Sequence, residues 1–308
     1  MYNNYNLKRS AVMTKILMTG GTGLVGKALQ QKFSSEDEVY ILTRSDKENH
    51  DNITYINWDK ENYEQYVPDV DLVINLAGAS LNQRWTKEHK EAIQISRIES
   101  TRKLLPIIDN MQSVPLLISA SAVGYYPPSN EAVYSEQDTI SPFDFLSETV
   151  HLWEKEAKKI EQNGTDVAYV RFGVIFSDKG GALPLMIKPY QLFAGGPIGK
   201  GTQPYSWIHL DDLVDAILYI YKHRLTGIYN LTAPYPVTQQ QLGKVIAETI
   251  HRPHYFVTPT KLIELLLGEQ SIMVTKGQKV LPEKLLAHGF KFSYPNVKIA
   301  LSDLLRQS

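Results

Sequence analysis

The feature that most constrains this chain is the stretch KILMTGGTGLVG at residues 15–26, where an apolar run leads directly into closely spaced glycines. The apolar residues that follow have helical spacing, so the pattern predicts a strand, a tight turn and a helix. Gly20 permits backbone conformations closed to other residues, Gly23 permits close approach to a pyrophosphate, and Gly26 permits close helix packing. Free amides at the positive end of the helix would then face the phosphates. The stretch predicts a dinucleotide site built from Gly20, Thr22, Gly23, Leu24, Val25 and Gly26; a plain tight turn is the alternative.

Composition narrows the classes of partner and chemistry. The chain has 308 residues and a formal net charge of -1, which favours neither nucleic acid nor an acidic membrane surface as a partner. It contains no cysteine, which excludes disulfides, thiolate metal sites and a cysteine nucleophile. No apolar run approaches the roughly 20 residues that span a bilayer. We therefore expect a cytoplasmic globular protein, monomeric or homodimeric, that acts on a small molecule.

Two further expectations come from the histidines and from the start of the chain. The eight histidines are scattered and offer no obvious set of three ligands, so no metal site is predicted. Residues 1–13 precede the first predicted strand and lack the apolar core of a signal peptide. They are expected to form a flexible leader.

The second predicted strand, EVYILT at residues 38–43, ends about 20 residues beyond the glycines, where a dinucleotide fold meets the adenosine ribose. An NAD site would carry a carboxylate there, whereas this chain has Thr43, Arg44 and Ser45. A guanidinium can bind a 2′-phosphate with two hydrogen bonds, and the hydroxyls can assist. The pattern favours NADP(H), with an exposed loop arginine as the alternative. A third strand at 53–57 would bring Asp59 beside the adenine.

Small residues follow the next strand and predict a ligand crevice. The run DLVINL at 71–76 is apolar enough to be buried on both faces of a parallel sheet. Because ligands bind at the carboxyl edge of such sheets, Leu76, Ala77 and Gly78 are predicted to border the cofactor. Ser80 and Arg84 follow as candidate substrate contacts, and a helix is predicted over 86–108. Arg84 is equally well explained as a solvated residue before that helix.

The fifth strand, at 115–119, is followed by candidate catalytic side chains. Ser119 at its end is assigned to the cofactor site, and Ser121 and Tyr125 just beyond are candidates to polarise a carbonyl and move a proton. A helix is predicted at 145–161 and a sixth strand at 166–172. That strand contains Arg171, a candidate positive neighbour for the tyrosine and the cofactor.

The sequence composition changes after residue 177. Glycines and prolines from 178 to 205 indicate long irregular connections, which in a compact domain are usually functional. Trp207 follows as a possible wall of the substrate pocket, and 227–231 is predicted to be the last core strand. The predicted fold class is α/β, a Rossmann-type doubly wound parallel sheet with a smaller, mostly helical C-terminal cap. Residues 14–177 would form the Rossmann domain, completed by about 206–232, while 178–205 and 233–308 would form the substrate and cap domain.

Several motifs occur together in the order of a known family. The segments GGTGLVG, NLAGAS, SASAVGYY, YVRFGVIFS and YSWIHLDDLVDAI resemble those of the extended short-chain dehydrogenase/reductases. The tail GQKVLPEKLLAHGFKFSYPNVKIALSDLL resembles the C-terminal segment of the atypical nucleoside-diphosphate-sugar epimerase-like branch. The resemblance implies a Rossmann-type core, a nicotinamide nucleotide cofactor and a nucleotide sugar or small carbonyl compound as substrate.

The chain departs from that family at the catalytic centre. Typical members pair the serine, matched here by Ser121, with a YxxxK motif on the following helix, whose tyrosine exchanges a proton with the substrate. Here Phe145 or Leu146 replaces the tyrosine, and Thr149 or Val150 replaces the lysine.

Two hypotheses therefore stay open. In the first, an NADP-dependent oxidoreductase or epimerase uses Tyr125, or less favourably Tyr126, beside Ser121. A positive neighbour such as the nicotinamide or Arg171 would have to lower the pKa of that tyrosine from its ordinary value near 10. In the second, the protein is a non-catalytic NADP(H)-binding sensor or regulator.

Overall fold

The fold is built on a parallel sheet of seven strands. The computed structural model describes residues 13–305, so the predicted leader falls, except for Met13, outside the described residues. The strands, numbered in chain order, are β1 (Lys15–Thr19), β2 (Glu38–Thr43), β3 (Ile53–Asn57), β4 (Leu72–Asn75), β5 (Leu116–Ala122), β6 (Val133–Tyr134), β7 (Asp166–Phe172), β8 (Val174–Phe176), β9 (Pro204–Tyr205), β10 (Trp207–His209), β11 (Gly227–Leu231), β12 (Val237–Thr238) and β13 (Lys279–Val280). The large sheet has the order β11-β7-β5-β4-β1-β2-β3, and all its neighbours are parallel.

Helices cover both faces of this sheet. They are α1 (Leu24–Gln30), α2 (Lys87–Arg102), α3 (Leu104–Asp109), α4 (Phe145–Gln162), α5 (Leu183–Gln191), α6 (Leu210–Lys222), α7 (Gln239–Thr249), α8 (Thr260–Leu267), α9 (Ile272–Thr275), α10 (Glu283–Ala287) and α11 (Val297–Leu305). Ile16 and Met18 of β1 pack with α1 and α6, whereas Leu17 packs with α3 and α4. Alternate side chains of one strand thus serve two cores, as the period of a strand requires. The predicted doubly wound α/β class is confirmed.

The helix predicted over 86–108 is two helices. α2 ends at Arg102, and α3 begins at Leu104 after a one-residue turn. Pro106 has no amide hydrogen to donate to the carbonyl of Arg102, so a continuous helical hydrogen-bond pattern cannot pass this point.

The C-terminal region is mostly helical and is tied to the core through α6. The buried Asp212 carboxylate accepts hydrogen bonds from the backbone amides of Ser293 and Tyr294, at 2.8 and 2.9 Å. Burial raises the pKa of Asp212 to about 6, against the effect of these two bonds. Two short pairings, β12 with β9 and β13 with β6, add further links to this region. Among the helices of residues 13–305, none is long and apolar enough to cross a bilayer.

Candidate functional site

The glycine turn lies where the strand order reverses, between β1 and its two neighbours β2 and β4. Gly20 has φ +67°, and a Cβ on it would lie 2.7 Å from the carbonyl carbon of Leu76. A Cβ on Gly26 would lie 2.5 Å from the Cα of Gly21. Gly23 precedes α1 and supplies no side-chain cap to its first amides. Backbone therefore forms the surface of this turn, as a closely approaching phosphate requires.

A buried hydrogen-bond network holds the neighbouring strand ends in place. Thr19 Oγ1 donates to Asn75 Oδ1 at 2.8 Å and accepts from the amides of Leu76 and Ala77, both at 3.1 Å. Asn75 Nδ2 donates to the hydroxyls of Thr101 and Ser119, at 2.8 and 3.3 Å. Ser119, predicted at the cofactor site, is 1% exposed. Its bond to Asn75 links the neighbouring strands β4 and β5 inside the protein.

A cavity of about 550 Å³ opens at this edge. Its wall includes Leu24 from the glycine turn, Gly78 and Ser80 after β4, and Gly124 after β5. The far side is formed by residues 181–182, 204–206, 272–273 and 276–278. Its volume lies in the range typical of small-molecule sites, and its wall is mainly apolar, with few charged groups.

The proposed adenosine end carries a free guanidinium. Arg44 and Ser45 are exposed just after β2, and Arg44 has no ion pair within the described chain. The next acidic residue, Asp46, is bound by Lys60 at 2.6 Å, and this contact lowers the pKa of Asp46. Asp59, predicted beside the adenine, pairs with Lys103 at 2.9 Å.

Arg171 is committed to the interior rather than to the pocket. Its side chain is 1% exposed, and Nε and Nη2 donate to the two carboxylate oxygens of Glu154, at 2.8 and 2.9 Å. Ser121 Oγ donates to the same carboxylate at 2.5 Å. This placement corrects the expectation that Arg171 contacts the cofactor, because its side chain is buried and its N–H groups are bonded to other residues of the protein.

The adjacent tyrosines Tyr125 and Tyr126 have different surroundings. Tyr125 is stacked on His151, with Arg171 Cζ 3.4 Å from its ring centroid, and its hydroxyl accepts from the amide of Ile140. It is not part of the cavity wall within the described chain, whereas Tyr126 is. The Tyr126 oxygen accepts from Arg171 Nη1 at 2.9 Å. Its hydroxyl also lies 2.9 Å from the carbonyl of Ser135 and 3.0 Å from Asn230 Oδ1, its two candidate acceptors.

Of the three predicted substrate contacts, only one lies in the cavity wall as the structure describes it. Ser80 lines the cavity, but Arg84 is exposed and lies outside its wall. Trp207 is fully buried, stacks on Phe176 and donates its indole N–H to the carbonyl of Tyr235. Trp207 therefore serves core packing, which corrects its assignment as a pocket wall.

Sequence reasoning missed Arg97, Trp153 and Glu154. Arg97 and Trp153 line the cavity, and Glu154 anchors Ser121 and Arg171. One feature of the sequence could have indicated that Arg97 lacks an ion pair on its own helix. The residues three and four positions away, at 93, 94, 100 and 101, include no acid. No comparable signal marked Glu154 among the charged residues of α4. Among residues 13–305, no group of three or more potential ligands forms a metal site.

The strand order, the reversal point and the glycine turn together define a dinucleotide-binding protein of the Rossmann type. The chain belongs to the NAD dependent epimerase/dehydratase family, whose profile matches residues 16–232. A second profile, a domain of unknown function named DUF1731, matches residues 258–304. The resemblance drawn from the sequence motifs is thereby confirmed.

Similar proteins cover nearly the whole chain. The epimerase family protein SERP0438 of Staphylococcus epidermidis is 48% identical over 96% of this chain and 100% of its own. The human epimerase family protein SDR39U1, solved with NADPH, is 31% identical, with a TM-score of 0.87 over 96% of this chain and 100% of that one. A nucleoside-diphosphate sugar epimerase of Corynebacterium glutamicum is 30% identical, with a TM-score of 0.76 over 96% of this chain and 58% of that one.

Proposed function

We propose that this protein is an NADP(H)-dependent oxidoreductase or epimerase that acts on a nucleotide sugar or a small carbonyl compound. The observation that carries the proposal is the cavity, because Leu24 of the glycine turn and Gly78 at the edge of the sheet both belong to its wall. A dinucleotide bound along the turn can therefore reach the same space as a substrate. The NADPH in the human relative and the description of the C. glutamicum relative support this cofactor and this substrate class.

The residues present fit such a cofactor. Gly20 leaves a cradle that a Cβ would fill, and the first amides of α1 have no side-chain cap. These groups would hold the pyrophosphate, and Arg44 would bind the 2′-phosphate with Ser45 beside it. When bound, the nicotinamide supplies hydride transfer.

Replacing Arg44 with alanine is expected to weaken NADPH binding by about 1.5–3 kcal/mol, the scale of a charged hydrogen bond, and to leave NADH binding unchanged. Fluorescence titration of both nucleotides measures this difference. The matched control is Arg224→Ala, which removes an exposed arginine paired with Asp166 at the opposite, amino end of β7. Equal affinity of the unaltered protein for NADH and NADPH would contradict the assignment.

Tyr126 is the tyrosine assigned to proton transfer because it belongs to the cavity wall and its oxygen receives a hydrogen bond from Arg171; the side chain is 0% exposed, so its hydroxyl must become accessible before it can exchange a proton with the substrate. Burial raises the pKa of Tyr126, while the charge and hydrogen bond of Arg171 act in the opposite direction. Oxidation of an alcohol requires the ionised tyrosine, so its rate is expected to rise with pH through the alkaline range.

Tyr126→Phe is expected to lower turnover at least about 100-fold, the lower end of general acid–base contributions, and Tyr125→Phe is expected to lower it far less. The measurement is NADPH oxidation, or NADP⁺ reduction, across sugar nucleotides and small carbonyl compounds. NADPH affinity and thermal unfolding of each variant separate lost chemistry from lost structure. If Tyr125→Phe has the larger effect, the proton passes through Tyr125 instead.

A second candidate, a non-catalytic NADP(H)-binding sensor, is favoured by one observation. The hydroxyls of Ser121, Tyr125 and Tyr126 are all engaged in hydrogen bonds within the protein. Leu146 and Val150 of α4 line the cavity with apolar surface. Tight NADPH binding without turnover on any member of the substrate panel would support the sensor.

A further inference from the structure

One wall of the cavity contains a partly buried cation, Arg97 of α2. Its guanidinium lies against the backbone of Gly78, where a Cβ would be only 2.9 Å from Arg97 Cζ. On another side Arg97 Cζ lies 5.2 Å from the centroid of the Trp153 ring. A backbone surface and an aromatic ring thus restrict the position of this guanidinium, and both neighbours line the cavity with it.

Arg97 has no acidic partner among the described residues. Nη1 donates to the carbonyls of Ala79 and Ile93, at 3.2 and 2.9 Å. Across residues 13–305, Nε and Nη2 have no acceptor, and no carboxylate lies within 4.0 Å. Burial lowers the pKa of Arg97 to about 10, so the group stays charged at neutral pH. A partly desolvated charge without a counterion is stabilised when a ligand supplies one.

The other arginines of the described chain differ. Arg102, Arg171 and Arg224 each contact a carboxylate, at 2.8, 2.8 and 3.2 Å. The remaining ones, at positions 44, 84 and 252, are exposed to solvent, where water compensates the charge. Arg97 thus differs from every other arginine of residues 13–305, because it is partly buried and has no counterion.

A second unsatisfied donor lies on the same wall. Trp153 is 6% exposed, and its buried indole Nε1 has no hydrogen-bond acceptor in the part of the chain that the structure describes. Asp144, the acid of the cavity wall, caps α4 by accepting from the amide of Ser147 at 2.8 Å. Arg97 and Trp153 thus both carry N–H groups without acceptors in the described chain, which favours a ligand rich in acceptor oxygens.

We propose that Arg97 binds an oxyanion of the substrate, a carboxylate or a phosphate, and makes the cavity selective for anionic substrates. Gly78 and Trp153 restrict the planar guanidinium, and its Nε and Nη2 groups, which have no acceptor in the described chain, can bind two oxygens of such a group together. The inference rests on the proposed function in treating the cavity as the substrate site, and it adds the charge of the substrate.

The first test is a titration of NADPH-saturated protein, uniformly ¹⁵N-labelled at arginine, with sodium malonate and separately with inorganic phosphate. The Arg97 Nε–H signal, identified by its absence from Arg97→Gln, is expected to shift saturably at millimolar anion. The Arg102 signal, from the same helix but paired with Glu156, is expected to stay in place. A stationary Arg97 signal with both anions, or equal shifts of both arginines, would overturn the proposal.

A second arm identifies the source of the oxyanion. UDP-glucuronate and UDP-glucose differ by one carboxylate, and their affinities are compared in the unaltered protein, Arg97→Gln and the control Arg102→Gln. At least a tenfold loss for UDP-glucuronate alone assigns a carboxylate, and an equal loss for both assigns the diphosphate. Binding of both that is insensitive to Arg97→Gln contradicts the proposal; if neither binds, the anion titration decides.

Two measurements separate this inference from the proposed function. NADPH affinity of Arg97→Gln is expected to stay within threefold of the unaltered protein; a tenfold loss would assign the oxyanion to the cofactor and overturn the substrate assignment. Absence of turnover on the substrate panel would contradict the enzymatic function, while a saturable shift of the Arg97 signal would still support the anion site. Arg97→Lys keeps the charge. If it binds the anion while Arg97→Gln does not, the loss in Arg97→Gln is due to the missing charge and not to a failure to fold.

Discussion

Replacing Glu154 with glutamine is expected to lower the free energy of unfolding by about 3–5 kcal/mol, the cost of leaving a buried charge without its partner. Arg171 is 1% exposed and makes both of its carboxylate bonds to Glu154. The amide of glutamine would keep one acceptor oxygen but would direct its N–H donors toward one of these two N–H groups. Ser121 would also lose its carboxylate acceptor. Urea denaturation at neutral pH measures the change.

Two further variants test the reason for that loss. The double variant Glu154→Leu with Arg171→Met removes both charges and is expected to be more stable than Glu154→Gln, since no unpaired charge remains. Arg224→Met removes an exposed partner of Asp166 and is expected to cost at most about 1 kcal/mol. A small loss in Glu154→Gln, or a double variant less stable than the single one, would show that the pair is not the source of the stability.

Gly20→Ala is expected to lower NADPH affinity by more than about 100-fold and the free energy of unfolding by about 2–5 kcal/mol. The residue has φ +67°, which strains any residue with a Cβ. The added carbon would also meet backbone atoms of Leu76 and Ala77 at 2.7–2.9 Å, and neither strand end can move without disturbing the sheet. NADPH titration and denaturation of the same preparation measure both effects.

Gly164→Ala separates strain from steric contact. Gly164 has φ +97°, but a Cβ there would meet nothing within 4 Å. This control is expected to lose about 1–2 kcal/mol through backbone strain alone and to bind NADPH normally. If Gly20→Ala behaves like Gly164→Ala, close approach at the turn is not required for cofactor binding.

Local patterns were enough to predict much of the fold and one end of the site. Apolar runs mark β1, β4 and β5, because strands buried on both faces need apolar side chains along most of their length. The Gly20 turn is equally local, since only glycine readily takes its conformation. Chain order and the rule that parallel strands align their carboxyl ends then place the crevice. The sequence by itself therefore determined a Rossmann-type fold, and it predicts a nucleotide site at Gly20–Gly26.

The tertiary structure decided which polar groups reach the cavity. Tyr125 and Tyr126 are neighbours with the same chemistry, yet only one of the two lines the cavity, because the short helical turn at 123–125 directs them differently. Arg171 pairs with Glu154 from another element, whereas Arg97 meets Gly78 and Trp153 and no acid. Burial and pairing depend on the packing of residues distant in sequence, and helical or strand periodicity carries no information about those contacts.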